Sequence, residues 1–341
     1  MTLGSAARGY LVPWTRFDWP LDWDVQFGRP GLLRAELCFG DGEFLEQSAL
    51  AEPGANWVGI EVSWFSTRRI LRRLEERGIE NVRVIQADAA IALERLFPAG
   101  SLDALVINHA DPWPKKRHHS RRLVQERFLA VAAGRLRSGG CITVATDHAD
   151  YAEWIARALA RTKALESAFP TDRVPEIAGR PSTRYERRGR DAGSVIHIFV
   201  WEKTGEESRW LPREERIIPM PNVLLEGTSQ FERLFEGWSG RRERELRSGI
   251  EIQVYLLGAY FRTDGREWLV EARVDEGGFI QNLALSVASR DPERILLKPS
   301  TLGFPRPTPG VKRAVHLLAE EILRRFPGLR VVATGVGNLE I

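Results

Sequence analysis

The sequence has few of the residues that build disulfide frameworks, metal clusters or membrane spans. Its 341 residues include only two cysteines, Cys38 and Cys141, each inside an apolar run. This number and spacing predict neither a disulfide nor a metal site, so we expect free, buried thiols in a reducing compartment. No apolar run has the length of a membrane span or of a signal-peptide core. These absences predict a cytoplasmic protein with no membrane segment and no bound metal.

The chain also has little net charge. Its 49 lysines and arginines are almost balanced by 46 acidic residues, which leaves a formal charge of +3. A balance of this kind excludes a general nucleic-acid coat, so any polyanion site must be a local patch. The hydrophobic fraction of 43% allows sizeable cores and excludes global disorder. The length fits two domains.

Short apolar runs alternate with helical patterns between residues 32 and 147. The strand candidates are Leu32 to Phe39, Trp57 to Val62, Val82 to Ala87, Leu102 to Asn108 and Cys141 to Ala145. Repeated strand–helix–strand units predict a parallel sheet with helices on both faces. A long helix is expected from about Ser120 to Leu136, stopping at Gly139-Gly140. Thr183 to Arg188 and Ser194 to Glu202 predict an antiparallel strand pair at the edge of the sheet.

The pattern changes after Trp201. We expect a first domain over residues 1–204, with residues 1–30 as an N-terminal extension, and a charged linker over residues 205–221. Residues 222–341 predict a smaller α+β domain. Its candidate elements are strands at Ile250 to Phe261, Glu267 to Val274, Phe279 to Ser289 and Arg294 to Leu297, a helix at Gly310 to Arg325, and a strand at Leu329 to Thr334. Its basic pieces fit RNA contact, a solvated surface or a dimer contact equally well.

Acidic residues lie at the ends of four predicted strands. They are Glu36, Glu61, Asp88 and Asp111. Ligands of open α/β sheets collect at the carboxyl ends of the strands, so we expect these acids to share one ligand. Gly40 and Gly42 would let the backbone approach it. The absence of a G-x-G-x-x-G pattern favours a nucleoside-type ligand with a cationic amino-acid part over a dinucleotide. Taken singly, each acid could instead cap a helix.

The run from Asp111 to Arg121 reads Asp-Pro-Trp-Pro-Lys-Lys-Arg-His-His-Ser-Arg. Its cations are typical of a phosphate-binding patch, although a charge run can also be a solvated loop. A second basic segment follows between Arg180 and Arg190. Two basic segments beside one pocket suit a folded RNA, because phosphate contacts set its register. His118 and His119 lack a cysteine or acid at ligand spacing, so they do not predict a metal site.

These pieces, in this order, resemble the bacterial tRNA (guanine-N7-)-methyltransferases, class I enzymes that use S-adenosylmethionine. The resemblance covers about residues 31–203. It rests on Glu36-x-x-x-Gly40-x-Gly42, Gly59-Ile60-Glu61-Val62, Asp88-Ala89, the run from Asp111 to His119, Ala145-Thr146-Asp147 and Thr183-Arg-Tyr-Glu186-Arg-Arg-Gly. It implies a Rossmann-like α/β fold with a mostly parallel seven-stranded sheet. The implied activity is methylation of N7 of guanine 46 in the variable loop of tRNA.

The resemblance also implies roles for individual residues. Asp111 would be the catalytic position. The cofactor would be bound by Glu36, Gly40, Gly42, Glu61, Asp88 and Asp111. The substrate would be bound by Lys115, Asp147, Thr183, Arg184, Tyr185 and Glu186. The tRNA backbone would be bound by Lys116, Arg117, Arg121, Arg122, Arg187 and Arg188. From the pattern alone, Glu186 could instead form an ion pair at the edge of the sheet with Arg184 or Arg188.

The sequence departs from the pattern of that family at two places. Cys38 stands where the family usually has glycine, and Asn108-His109-Ala110 replaces an aromatic-aromatic-proline lead-in to Asp111. Residues 205–341 lie outside the resemblance altogether, and their role is not predicted. Two alternatives therefore stay open: a methyltransferase of the same lineage acting on another RNA or on a small molecule, and a tRNA-binding relative without activity. The sequence leaves a monomer and a homodimer equally open.

Overall fold

We describe the protein from a computed structural model, which covers residues 7–206, 214–227, 230–247, 249–263, 265–291, 293–302 and 305–335. The start of the expected N-terminal extension (1–6), the middle of the expected linker (207–213) and the end of the expected C-terminal domain (336–341) lie outside these residues. The chain divides into two compact units, Met1–Glu215 and Arg216–Ile341. The division falls within the segment 205–221.

A seven-stranded sheet forms the centre of the N-terminal unit. In chain order its strands are β1 Leu33–Leu37, β2 Asn56–Glu61, β3 Val82–Gln86, β4 Leu102–Asn108, β5 Leu136–Thr146, β6 Leu165–Ser167 and β7 His197–Lys203. The spatial order is β3-β2-β1-β4-β5-β7-β6. Strands β1 to β5 pair in parallel, and β7 is antiparallel to both of its neighbours. The prediction of a mostly parallel, seven-stranded α/β sheet is confirmed. The strand order reverses between β1 and β4, the place where such sheets bind ligands.

Helices connect these strands. They are α1 Ala7–Tyr10, α2 Trp23–Phe27, α3 Glu43–Ala51, α4 Trp64–Arg77, α5 Ala89–Leu96, α6 Glu126–Arg135, α7 Ala149–Ala160 and α8 Arg184–Asp191, with short 3-10 helices at Trp14–Arg16 and Lys116–Arg121. The two ends of helix α4 are fixed by residues with clear local preferences. Ser63 accepts a hydrogen bond from the backbone of Ser66 at the start, and Gly78 ends the helix in a left-handed conformation. Its buried residues Ile70, Leu71 and Leu74 face the sheet.

The tryptophans near the N-terminus pack on the same unit. Trp19 and Trp23 are buried, Trp14 stacks on Trp19 with ring centroids 5.3 Å apart, and Trp23 stacks on Phe97 at 4.8 Å. The indole nitrogen of Trp23 donates to the carbonyl of Leu96 at 3.2 Å. These rings cover the apolar surface of their own domain, as expected for large aromatic side chains with one polar atom.

The structure corrects the strand expected at Thr183 to Arg188, because this segment starts helix α8. The Thr183 hydroxyl accepts from the backbone N–H of Glu186, and the Glu186 carboxylate accepts in return from the backbone N–H of Thr183. This reciprocal pair is a capping box, whose Thr-x-x-Glu signature stands in the sequence. The antiparallel edge is present, but it is formed by β6 and β7.

The helix expected from Ser120 to Leu136 is also shorter than predicted. Helix α6 begins only at Glu126, after the 3-10 helix at Lys116–Arg121, and it ends at Arg135. Strand β5 begins at the next residue and contains Gly139 and Gly140. The pairing of β4 with β5 shifts register at this point. A side chain at Gly140 would place its Cβ 2.9 Å from the carbonyl oxygen of Leu102. The glycine pair therefore allows a close approach of two strands instead of ending a helix.

The C-terminal unit is an antiparallel sheet with one helix packed on it. Its elements are β8 Val223–Glu226, β9 Arg241–Arg247, β10 Ile250–Phe261, β11 Glu267–Glu276, β12 Phe279–Asp291, β13 Arg294–Pro299, α9 Pro309–Arg325 and β14 Arg330–Thr334, with a 3-10 turn at Phe231–Arg233. The strand order is β14-β8-β13-β12-β11-β10-β9. The apolar face of α9, with Val311, Val315 and Ile322, packs into the core formed by one face of the sheet. The expected α+β class is confirmed, while β8 and β9 were not predicted. No helix within the described residues is long and apolar enough to cross a membrane.

Candidate functional site

The four acids at the strand ends lie at one edge of the sheet. Glu36 and Glu61 belong to β1 and β2, Asp88 follows β3, and Asp111 follows β4; these four parallel strands are neighbours in the order β3-β2-β1-β4. Burial raises the pKa of the Cys38 thiol, and the negative charges of Glu61, Asp88, Asp111 and Glu36 add to that rise. The carboxyl edge of the sheet therefore carries the four acids that the sequence places on separate strands.

The turn after β1 brings the backbone into this site. Cys38, Gly40 and Gly42 all have positive φ angles, of 56°, 58° and 74°. A Cβ at Gly42 would lie 2.8 Å from Cδ1 of Ile70, so a side chain there would require Ile70 to shift. Cys38 is the residue that departs from the family pattern, and a side chain in the left-handed region costs about 1 kcal/mol or more. The conformation explains why glycine suits that position.

Glu36 is buried, with 1% of its surface exposed. Its Oε1 accepts a hydrogen bond from Nδ2 of Asn108 at 2.9 Å, while its buried Oε2 has no partner among the described residues. Burial raises the pKa of Glu36 to about 8, against the lowering effects of the hydrogen bond from Asn108, the positive charge of Arg180 and a backbone hydrogen bond from Leu45. Burial therefore favours the neutral form of this carboxyl group.

Glu61 and Asp88 have structural contacts as well as positions at the edge of the sheet. Oε2 of Glu61 accepts from the backbone N–H of Gly40 at 3.1 Å, and its Oε1 accepts from that of Ser63 at 2.9 Å. Asp88 is exposed and caps α5 through the backbone N–H of Ile91 at 3.0 Å. Because each carboxylate oxygen has two lone pairs, capping does not prevent either acid from accepting hydrogen bonds from a ligand.

Asp111 begins an exposed basic segment. Its side chain is exposed and forms no hydrogen bond or ion pair within the described part of the chain, and the same is true of Lys115 and Lys116. Arg117 is exposed and donates to Nε2 of His118 at 3.1 Å. The guanidinium of Arg121 lies over the ring of Trp113 at 5.0 Å.

The structure corrects the expectation for Arg122, which is only 3% exposed. Its guanidinium lies over the rings of Tyr151 and Trp154, at 5.2 and 4.9 Å, and its Nε donates to the carbonyl of Pro112 at 2.8 Å. A cation held between two rings and a carbonyl oxygen is not available to a phosphate. Arg122 anchors the segment that carries Asp111, whereas its neighbours in the sequence face solvent.

The start of α8 packs into a second polar group of the site. Glu186 is fully buried, and Nη1 of Arg180 donates to both of its carboxylate oxygens at 2.9 Å. Burial acts to raise the pKa of Glu186, but His109 and Arg180 outweigh it and hold that pKa below its usual range. The imidazole of His109 lies between two acids, with Nε2 3.5 Å from Glu186 and Nδ1 3.4 Å from Oδ1 of the exposed Asp147.

Thr183 and Glu186, which the resemblance assigns to the substrate, are buried and already have structural contacts, so their contact with the substrate stays a prediction. Their polar atoms are used by the capping box and by the buried ion pair, whose cation is Arg180 and not Arg184 or Arg188. Tyr185 is 59% exposed, and its ring stacks on that of His109 at 6.2 Å. The remaining cations of α8 are all exposed; Arg187 forms an ion pair with Glu43 at 2.7 Å, while Arg184 and Arg188 have no partner within the described residues.

A buried hydrogen-bonded chain joins the two halves of the site. Arg180, whose other nitrogen holds Glu186, also donates through Nη2 to Oδ1 of Asn108, and the amide of Asn108 in turn holds Glu36. Sequence reasoning did not find this chain. The departure from the family pattern at Asn108 and His109 is the one feature of the sequence that could have indicated it. Nothing in the sequence pattern places Arg180 beside β4. Within the described residues, no group of three or more His, Cys, Asp or Glu side chains is arranged to hold a metal ion.

Comparisons with known proteins identify the family of this chain. A family model described as a putative methyltransferase matches residues 31–198. A tRNA (guanine-N(7)-)-methyltransferase of Thermotoga maritima is 32% identical over 309 residues, covering 89% of this chain and 93% of that protein. The enzyme of the same name from Thermus thermophilus is 31% identical and covers 94% and 98%. The one from Nocardia farcinica is 42% identical over 60% of this chain and 84% of its own length. An alignment of 309 of the 341 residues extends into the C-terminal unit, beyond the segment that carries the motifs.

Proposed function

This chain belongs to the tRNA (guanine-N(7)-)-methyltransferase family, and on that premise we propose that it transfers a methyl group from S-adenosylmethionine to N7 of guanosine 46 in the variable loop of tRNA. Membership makes the protein a methyltransferase; the donor, the acceptor and the position are the proposal. The observation that carries it is the position of four carboxyl groups at the carboxyl ends of adjacent parallel strands, beside exposed lysines that have no acidic partner among the described residues. A protein with this substrate works in the cytoplasm, where tRNA matures.

The residues present fit the proposed cofactor. S-adenosylmethionine supplies a methyl group activated on a sulfonium and carries a cationic amino-acid part. Oε2 of Glu36 has no partner among the described residues and would accept a hydrogen bond from the amino group of the cofactor. The positive charge of that group would lower the pKa of Glu36, which burial raises to about 8, and so favour the charged form at neutral pH. Glu61 would accept from the two hydroxyls of a ribose, and Asp88 from an adenine amino group. Gly40 and Gly42, both with positive φ angles, shape the turn beside these acids.

The acceptor chemistry requires positioning more than proton transfer. Guanine N7 has an in-plane lone pair and no proton, so no general base is needed to expose the nucleophile. Positive charge builds on the base during transfer, and a fixed carboxylate nearby stabilises it. Asp111 is exposed at the site and has no competing partner in the described chain. Asp147, whose Oδ1 lies 3.4 Å from Nδ1 of His109, is the second acid that we assign to this role.

The cations would hold the phosphates of the tRNA. Lys115, Lys116 and Arg117 project from the segment after Asp111, and Arg184 and Arg188 project from α8. Contacts from two elements fix the orientation of a folded RNA as well as its affinity. Arg122 is no longer in this set because it is buried.

Methyl transfer to tRNA tests the proposal directly. Purified protein, labelled S-adenosylmethionine and an unmodified tRNA transcript should give incorporation that maps to N7 of guanosine 46. The matched control is the same transcript with adenosine at that position, which should accept no label. Equal labelling of both transcripts would remove the positional claim. Labelling of a different RNA or of a small molecule, with tRNA inert, would establish the alternative acceptor.

A further inference from the structure

Three large apolar side chains are exposed beside the candidate site. They are Val62, Trp64 and Phe65, with 68%, 41% and 70% of their surfaces exposed. We call these three residues the aromatic step. The rest of α4 follows the usual amphipathic rule, with its apolar residues buried against the sheet. Adjacent exposed apolar side chains beside an active site indicate a contact surface more often than isolated ones do.

The aromatic step lies at the carboxyl edge of the sheet and is held there. It follows Glu61 directly, and the Glu61 carboxylate binds the backbone N–H groups of both Gly40 and Ser63. Ser63 then caps α4, which fixes Trp64 and Phe65 in the first turn. The side chain of Gln86, at the end of β3, donates to the carbonyl of Val62 at 3.5 Å. The step is therefore a fixed extension of the edge that carries Glu61 and Asp88.

The charge next to the aromatic step is positive. Helix α4 carries arginines at positions 68, 69, 72 and 73 and has no acid before Glu75. The guanidinium of Arg69 lies 4.9 Å from the centroid of the Phe65 ring. Arg72 and Arg73 form ion pairs with Glu76 and Glu46, further along the helix and on α3. The acids that face the step are the site residues Glu61 and Asp88. Exposed rings beside a guanidinium complement nucleotides, because bases stack on the rings while phosphates bind the cation.

We propose that the aromatic step binds unpaired nucleotides of the tRNA that flank the methylated guanosine, with Arg69 beside their phosphates. This rests on the proposed function and adds to it a contact that neither the motifs nor the two basic segments supply. The step presents two exposed aromatic rings and a valine, and the guanidinium beside Phe65 favours a ligand with phosphates over a neutral adenine. The arginines equally disfavour a second copy of the same step, because like charges would then meet.

A double substitution tests the proposal. Trp64→Ala/Phe65→Ala should raise the dissociation constant for tRNA by about tenfold or more and raise KM for tRNA more than it lowers kcat. Phe65→Tyr, which keeps a ring, should bind tRNA nearly as well as wild type, whereas Phe65→Leu should not. Arg69→Gln should weaken binding and reduce its salt dependence. The matched control is Val25→Ala, an equally exposed apolar residue of α2 (71%), which should change none of these values.

Two further measurements on the double variant test whether the step instead binds the adenine ring of the cofactor or a second copy of the chain. Its affinity for S-adenosylhomocysteine and its sedimentation coefficient should equal those of the wild type. A loss of cofactor affinity would assign the step to the adenine ring, and a change from dimer to monomer would assign it to a second copy; either result overturns the proposal, as does unchanged tRNA binding. Wild-type protein that transfers no methyl group to tRNA would instead refute the proposed function, so the two failures are distinguishable.

Discussion

The two units of the chain each bury a carboxyl group, and they satisfy it differently. In the C-terminal unit, Glu276 is 7% exposed and holds the start of α9, because Oε1 accepts from the backbone N–H of Gly310 at 2.8 Å and Oε2 accepts from the hydroxyl of Thr308. In the N-terminal unit, Glu36 is also buried but has a partner on only one oxygen among the described residues. A buried polar group with every atom satisfied stabilises a fold, while one with an open atom leaves a position for a water or a ligand. Because Glu36 also lies at the carboxyl edge of the parallel sheet, we assign its open oxygen to a ligand.

Some cations of the two units also differ in whether an acidic side chain pairs with them. In the C-terminal unit, Arg313 is held between Glu243 and Glu320, with Nη2–Oε2 and Nη1–Oε1 distances of 2.7 and 2.6 Å, and the hydrogen bond from Arg313 to Glu243 raises the pKa of the guanidinium. In the N-terminal unit, Lys115 and Lys116 have no acidic partner among the described residues. Clusters whose charges are already paired contribute to stability, and unpaired ones are free to bind an anion.

Removing Arg180 should have the largest effect, because it turns a satisfied buried acid into an unsatisfied one. We expect Arg180→Ala to lower the free energy of unfolding by about 3–5 kcal/mol, since Glu186 would be left charged and buried. Arg187→Ala, which removes an arginine at the surface from the ion pair with Glu43, should cost about 1 kcal/mol or less. Denaturant titration followed by tryptophan fluorescence measures both. Equal costs for the two variants would contradict the assignment of Glu186 as a structural acid.

Substituting Asp111 should leave the fold intact and stop the reaction. Asp111→Asn removes one charge from an exposed side chain without partners in the described chain, so we expect unchanged stability and a loss of turnover of about 10²-fold, roughly 3 kcal/mol in the barrier. Glu166→Gln, an exposed acid on the edge strand β6, is the control and should retain full activity. Single-turnover rates at saturating tRNA give the comparison. A variant that loses tRNA binding and keeps its turnover would move Asp111 from catalysis to docking.

Much of this architecture could be predicted from the sequence. Apolar periodicity predicts the strands, and the carboxyl ends of parallel strands lie at the same edge of a sheet. The order of strands and acids along the chain is enough to place Glu36, Glu61, Asp88 and Asp111 at one edge. Strand β9 was missed because its sequence, Arg-Arg-Glu-Arg-Glu-Leu-Arg, has no apolar alternation. Its less exposed positions carry charges such as Glu243, which are neutralised by Arg313 of α9, a partner 70 residues away.

Burial within a run of like residues could not be predicted at all. Lys116, Arg121 and Arg122 are equivalent in the sequence, and only the third is buried. The cause is the pair of rings on α7, Tyr151 and Trp154, about 30 residues further along the chain. Long-range packing of this kind has no local signature, and the same holds for the contact between Arg180 and Asn108.

The difference between Arg122 and Lys116 can be tested with a pair of substitutions. Arg122→Ala removes two cation–π contacts and a charged hydrogen bond, so we expect a loss of about 2 kcal/mol in the free energy of unfolding. Lys116→Ala should leave stability unchanged, weaken tRNA binding and reduce the slope of log affinity against log salt by about one. Thermal unfolding and tRNA titration at several salt concentrations measure both quantities. A stable Arg122→Ala protein with a reduced salt slope would restore Arg122 to the set of phosphate contacts.

The pH dependence of stability distinguishes the two buried acids of the opening comparison. Because the pKa of Glu36 is raised to about 8 in the folded protein, the folded state binds its proton more tightly than the unfolded state does. This contribution to stability is complete below the unfolded pKa near 4.5 and is lost as pH rises toward 8, by about 1 kcal/mol per pH unit. Glu36→Gln should therefore become more stable than wild type as pH rises from about 5 to 8. Glu276→Gln should be less stable by about 1–2 kcal/mol, because an amide replaces an acceptor of two hydrogen bonds. Bound S-adenosylhomocysteine, with its ammonium group, should reduce the pH dependence of the wild type and leave that of Glu36→Gln unchanged. If the ligand changed neither, the open oxygen of Glu36 would be a defect of packing and not a binding group.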